Sequence, residues 1–127
     1  MLVVDDDVRV LRLLETVLRR GGYEVLATVS ASVGLALAGR ERPDALLVDV
    51  TLGRESGAAL IRRIRALPGL GSTPAILMSG GDPVSNSERA QSLDALFLPK
   101  PTTAAEVLDA VTTALAASSP RASVVVE

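Results

Sequence analysis

A doubly wound α/β fold is predicted for this chain: a five-stranded parallel sheet with five helices packed as three α/β/α layers. Three observations carry that prediction. Five short runs are apolar at nearly every position, which marks strands covered on both faces rather than one. Between them lie segments with apolar residues at helical spacing, and alternation of strand and helix is the pattern of a parallel sheet. The length of 127 residues, nearly half of them hydrophobic, suits one domain with a sizeable core.

The first run, Leu2-Val3-Val4, ends on Asp5-Asp6-Asp7. Val10, Leu11, Leu14, Val17 and Leu18 then recur at helical spacing, with Arg12, Glu15 and Arg19 between them; Asp7 is a candidate N-cap and Gly21-Gly22 a stop. Tyr23 to Val29 reads as the second strand and Ser32 to Arg40 as a small Ala-rich helix that ends near Pro43. Ala45-Leu46-Leu47-Val48 closes on Asp49, and Gly57 to Leu67 forms the next helix, its arginines Arg62, Arg63 and Arg65 on a solvated face. Pro74 opens the fourth run, Ala75 to Met78, which finishes on Ser79-Gly80-Gly81. A weak helix is expected over Ser85 to Ser92. Ala95 to Leu98 is the fifth run, closed by Pro99-Lys100-Pro101, where an X-Pro bond permits a cis peptide. Thr103 caps a last helix through Ala117, and residues 118–127 begin like a linker with Ser-Ser-Pro.

Composition excludes several classes of function. Without Cys there is no disulfide framework, thiolate zinc site or catalytic thiol. Without His the usual transition-metal ligand and general base are missing as well, so any metal must be hard and oxygen-bound. One Phe, one Tyr and no Trp leave no stacking platform for single strands, and a net charge of −2 argues against nucleic-acid binding. No apolar run approaches the roughly 20 residues of a membrane span, and no secretory leader is evident. A soluble cytoplasmic protein is the expectation.

Right-handed crossovers bring all strand C-termini to one edge, where open α/β sheets hold their ligands. Asp5-Asp6-Asp7, Asp49, Ser79 and Lys100 each follow an apolar run and therefore meet there. Adjacent carboxylates repel unless solvated or neutralised by a cation; the triplet is equally well an acidic turn with Asp7 as a helix cap. Lys100 is the only lysine among 13 basic residues, which points to a place that needs a compact ammonium on a flexible stem. Together these groups suit phosphoryl transfer to a carboxylate, with charge on the phosphoryl oxygens met by a cation, an ammonium and a hydroxyl. Asp49 stands alone at its strand end and is the natural nucleophile; Ser79 supplies the hydroxyl, and Gly80-Gly81 lets backbone approach an anion.

Leu-Val-Val-Asp5-Asp6-Asp7, Leu-Leu-Val-Asp49, Ile-Leu-Met-Ser79-Gly80 and Phe97-Leu-Pro-Lys100-Pro101, in this order and at these separations, resemble the receiver domain of two-component response regulators, with its chemotaxis-regulator-like, flavodoxin-like topology. The resemblance covers residues 1 to about 117. It implies that Asp49 is phosphorylated by a histidine kinase or histidine phosphotransfer protein. It also implies that Asp6, Asp49 and the Thr51 main-chain carbonyl hold Mg²⁺ (or Mn²⁺), with Asp5 acting on the metal through water. Ser79 would bond a phosphoryl oxygen, and Lys100 would pair with Asp49 and then with the phosphate. Phe97 would be the aromatic that switches with Ser79, or simply a core side chain. A downstream protein target or an output domain would follow, and a homodimer through the fourth and fifth helices is an option that no clear surface pattern supports.

Two departures stand out. Leu52-Gly53 occupies the place of the usual Met/Leu-Pro pair, while Gly57 matches the usual glycine. The segment Ser92-Leu93-Asp94-Ala95 is one residue short and lacks a common glycine, which puts the switch surface in question. Two other readings compete: a haloacid-dehalogenase-type phosphatase with Asp5 as nucleophile, whose Asp-x-Asp spacing Asp5 and Asp7 satisfy, and a phosphate-independent docking scaffold.

Overall fold

In the computed structural model, backbone is described for residues 1–126 and side chains through Ala117. Five parallel strands, β1 (Leu2–Val4), β2 (Leu26–Thr28), β3 (Leu46–Asp49), β6 (Ala75–Ser79) and β7 (Leu96–Pro99), pair in the order β2-β1-β3-β6-β7. A two-residue antiparallel ribbon, β4 (Thr51–Leu52) with β5 (Glu55–Ser56), projects from the end of β3. The helices are α1 (Val8–Arg20), α2 (Ala31–Glu41), α3 (Gly57–Arg65), α4 (Pro83–Ser92) and α5 (Ala104–Val126).

The unbroken apolar runs behave as a sheet covered on both faces requires. Leu2, Val4, Leu46, Val48 and Leu77 point to one side, into a core with Ala58, Leu60, Ile61 and Ile64 of α3 and Ala38 of α2. Val3, Leu47, Ile76 and Met78 point to the other, against Leu11, Leu14 and Leu18 of α1 and Val107 and Val111 of α5. Successive strand residues face opposite ways, so each run must be apolar throughout to feed both layers. No aromatic is fully buried in either layer; Phe97 and Tyr23 are only partly buried, each packed against one of them.

Element boundaries differ from the sequence expectation where capping bonds set them. The second strand is only Leu26–Thr28, not Tyr23 to Val29. The Tyr23 amide is spent on the Leu18 carbonyl, closing the α1 terminus, so the chain enters the sheet later. Helix α4 starts at Pro83 rather than Ser85, because Asp82 caps it through the Val84 amide and proline suits its first turn. Thr103 caps α5 as expected, and Glu106 completes the cap by accepting from the Thr103 amide, a partner not anticipated from sequence. The predicted linker lies at residues 118–127; α5 extends to Val126, and the side chains there fall outside those described. Among the described residues no helix is long and apolar enough to cross a membrane.

Candidate functional site

The three carboxylates expected at the sheet edge converge: oxygens of Asp5, Asp6 and Asp49 lie within 4.8 Å of one another. Parallel pairing of β1 with β3 places Val4 opposite Val48 and so sets Asp5 and Asp49 side by side. Lys100 comes from the end of β7, held next to β6 by its amide donating to the Ser79 carbonyl at 2.8 Å. Its Nζ donates to Asp5 Oδ2 at 2.9 Å and to Asp49 Oδ2 at 3.2 Å. The peptide that follows, Lys100–Pro101, is cis.

The acidic triplet divides its work: the helix-cap reading holds for Asp7, while Asp5 and Asp6 turn towards the edge cluster. Asp7 caps α1, accepting from the Arg9 amide at 2.9 Å. Asp5 is 1% exposed, and both its oxygens are engaged, one by Lys100 and the other by the Asp7 amide at 2.9 Å. Asp6 is exposed, and its Oδ2 accepts from the Gly53 amide at 2.9 Å. That contact gives the Leu52-Gly53 departure a physical meaning. Gly53 sits at φ +64 in the two-residue turn of the ribbon, a conformation closed to proline, and proline has no amide proton to give. The ribbon was not expected from sequence; Gly53-Arg54 between Leu52 and Glu55 was the signal for it.

Burial, then the neighbouring Asp5 charge, raise the Asp49 carboxyl above its ordinary pKa; the Lys100 ammonium and the Thr51 amide oppose this without cancelling it. For Lys100, burial works downward, but the Asp5 hydrogen bond and the charges of Asp49 and Asp5 outweigh it, leaving the ammonium raised. The pair therefore keeps a positive charge locked beside an unusually basic carboxylate. Gly57 is required just behind it. Its amide donates to the Val50 carbonyl at 2.8 Å, and a Cβ there would collide with the Asp49 carbonyl.

Ser79 lies at the end of β6 and is buried, with its Oγ accepting from the Gly81 amide at 2.9 Å and from Asn86 Nδ2 at 2.8 Å. Asn86 was not singled out from sequence; its burial on an otherwise polar helix becomes visible only once α4 is placed. Phe97 is half-buried and packs on the α3-side core. The donor set at the edge is all oxygen and clustered closely enough to be bridged by one small, hard cation, so the residues fit a magnesium-sized ion.

This fold coincides with what comparison finds. Residues 1–112 match the family model for the response regulator receiver domain, and the chain belongs to that family. It is 38% identical over 117 residues to the transcriptional activator protein PfeR of Pseudomonas aeruginosa, covering 91% of this chain and 37% of that one. To the response regulator MprA of Mycobacterium leprae it is 33% identical, covering 94% of this chain and 52% of the relative. The chain thus spans about half or less of these curated relatives. Among solved structures, a CheY-like response regulator receiver domain protein from Methanospirillum hungatei superposes with a TM-score of 0.84 at 26% identity, covering 94% of this chain and 95% of its own. The receiver domain of NtrX from Brucella abortus gives 0.81 at 27%, covering 90% and 96%. This is a signalling domain of two-component response regulators rather than a conventional enzyme.

Proposed function

We propose that Asp49 is the phosphoacceptor of this receiver domain and that residues 1–117 form the complete phosphorylation unit. An Asp49 carboxylate oxygen attacks the phosphorus of a phosphohistidine on a histidine kinase or phosphotransfer protein. The P–N bond breaks, its electron pair stays on the imidazole nitrogen, and an acyl phosphate remains on Asp49. The raised basicity of Asp49 favours its role as nucleophile. Lys100, already shared between Asp5 and Asp49, follows the new charge onto a phosphoryl oxygen. Ser79 donates its hydroxyl proton to another. Asp6 and Asp49, with the Thr51 carbonyl, would hold Mg²⁺ (or Mn²⁺), and Asp5, its oxygens occupied, would act on it through water. That cation supplies charge neutralisation for the phosphoryl oxygens.

The observation that carries this reading is Lys100 Nζ bridging two carboxylates that arrive from separate strands. It favours Asp49 over Asp5 as nucleophile, since Asp5 is 1% exposed and doubly bonded while Asp7 is committed to capping. A docking scaffold would not need so costly a charge cluster. In the cell the domain would work in the cytoplasm. The acyl phosphate would bias a two-state surface, with Ser79 and Phe97 as the moving side chains, towards a protein target or an attached output domain. Incubation with Mg²⁺ and a small acyl-phosphate donor tests it. Mass spectrometry should find one phosphoryl adduct in the parent and none in Asp49→Ala. An adduct that persists in Asp49→Ala, or none in the parent, refutes the assignment.

A further inference from the structure

We propose that Asn86 is a positioning residue for Ser79, and that the chain Arg89–Asn86–Ser79 ties the phosphorylation site to helix α4. The inference rests on the phosphoacceptor reading above. Asn86 is 6% exposed, unusual for a carboxamide on a helix whose other polar side chains mostly face solvent. A buried amide needs partners, and it has two. Arg89 Nη1 donates to Asn86 Oδ1 at 3.3 Å, and Asn86 Nδ2 donates to Ser79 Oγ at 2.8 Å. The order follows from chemistry. A guanidinium can only donate, so the atom of Asn86 that faces Arg89 must be its oxygen, and the NH₂ must face Ser79.

Ser79 Oγ therefore receives two N–H groups, from Asn86 and from the Gly81 amide at 2.9 Å. A hydroxyl has two lone pairs and one proton. With both lone pairs engaged on the α4 side, the proton is the one valence left to donate. Asn86 thereby fixes Ser79 as a donor whose proton is available to an incoming phosphoryl oxygen. It also means that any movement of Ser79 strains a bond to α4, and through Oδ1 a bond to the exposed guanidinium of Arg89. This is a route from the site to the α4 surface that does not pass through Phe97.

The test is a double-mutant cycle on the full chain, with acyl-phosphate labelling rate as the readout. Asn86→Ala and the volume-keeping Asn86→Leu should each slow labelling on the order of 2- to 10-fold, the value of one lost orienting hydrogen bond. Arg89→Met should slow it less, in the same direction. In a Ser79→Ala background the Asn86 substitutions should add nothing, because they act through the hydroxyl. As a readout independent of labelling, the Asn86 side-chain NH₂ resonance should move in Ser79→Ala and stay in Ser79→Thr, which keeps a hydroxyl. Unchanged or faster labelling in the Asn86 variants, multiplicative effects with Ser79→Ala, or an NH₂ signal indifferent to Ser79→Ala would each overturn the proposal. A parent that takes no phosphoryl group overturns the phosphoacceptor reading and this inference with it, a result distinct from a labelled parent with an additive cycle.

Discussion

Replacing the Asp49 carboxylate by an amide should stabilise the protein when no divalent cation is present. Asp49 lies within 4.8 Å of Asp5 and 3.2 Å from the Lys100 ammonium. At an effective dielectric constant near 20, those separations correspond to about 3.5 kcal/mol of repulsion and about 5 kcal/mol of attraction. Asp6 adds further repulsion, weakened by water because it is exposed. Coulomb terms thus nearly cancel, and the sign is set by desolvation of the Asp49 side chain, which is only 12% exposed. The raised Asp49 pKa, with burial as its leading cause, has the same sign. Asp49→Asn removes the charge yet leaves an oxygen for Lys100 to donate to, and the expected gain is about 1–2 kcal/mol, or roughly 4 °C or more in Tm. The pH dependence follows. A carboxyl whose pKa is higher folded than unfolded holds its proton longer in the folded state, so stability falls as pH rises from the unfolded value, near 3.8, through the raised one. That contribution should vanish in Asp49→Asn. Urea unfolding in EDTA from pH 4 to pH 8 measures both effects. With the metal set proposed above, titration with Mg²⁺ should then reverse the ranking, since the parent would gain more by mass action than a variant that lacks the Asp49 carboxylate. If Asp49→Asn is the less stable protein in EDTA at neutral pH, the electrostatic account of this site is wrong.

Lys100→Met should lower stability by about 1–3 kcal/mol in EDTA, below the usual figure for a broken buried pair because the lysine side chain is 23% exposed. The deficit should shrink when Mg²⁺ is added, and denaturant titration with and without the ion reads both. Gly57→Ala places a methyl group against the Asp49 carbonyl and should destabilise by about 2 kcal/mol or more, with altered backbone resonances around Asp49. Gly53→Pro removes the amide that holds Asp6 and forbids φ +64, so amides of Thr51 to Ser56 should exchange with deuterium faster than in the parent. Hydrogen bonds from Ser85 and the Val84 amide hold Asp82 below its ordinary pKa. Its capping is therefore present above that value and lost as pH falls through the lowered one, and exchange in the first turn of α4 should accelerate there.

The architecture was legible in the sequence because the core is redundant: 30 buried apolar positions among the described residues repeat one instruction, strand or helix. The edge cluster was legible for a related reason, as a polar residue directly after a fully buried run has one place to go. What escaped were features that depend on single contacts. The ribbon Thr51–Leu52 with Glu55–Ser56 is only two residues per strand, too short for any periodicity. The Gly53 amide that reaches Asp6 is 47 residues away from it along the chain. Asn86 looks like any other polar residue of a weak helix until Ser79 is seen beside it.

The short segment after α4 shows how a departure from family pattern is absorbed locally. With no glycine available, Asp94 itself takes the left-handed conformation at φ +52, which aspartate tolerates better than most residues. The Ala95 amide then returns to the Ala90 carbonyl at 2.9 Å, closing the helix end. Arg65, reaching from the last turn of α3, donates to the carbonyls of Thr73, Leu93 and Asp94, so three carbonyls from two separate loops share one guanidinium. Burial draws the Arg65 pKa down, an effect the Asp94 charge opposes. A clamp of this kind makes the C-terminal end of α4 the fixed end. Its N-terminal end, capped by exposed Asp82 and joined to Ser79 through Asn86, is then the end that follows Ser79, so a displacement of Ser79 should pivot α4 about Leu93 instead of translating it.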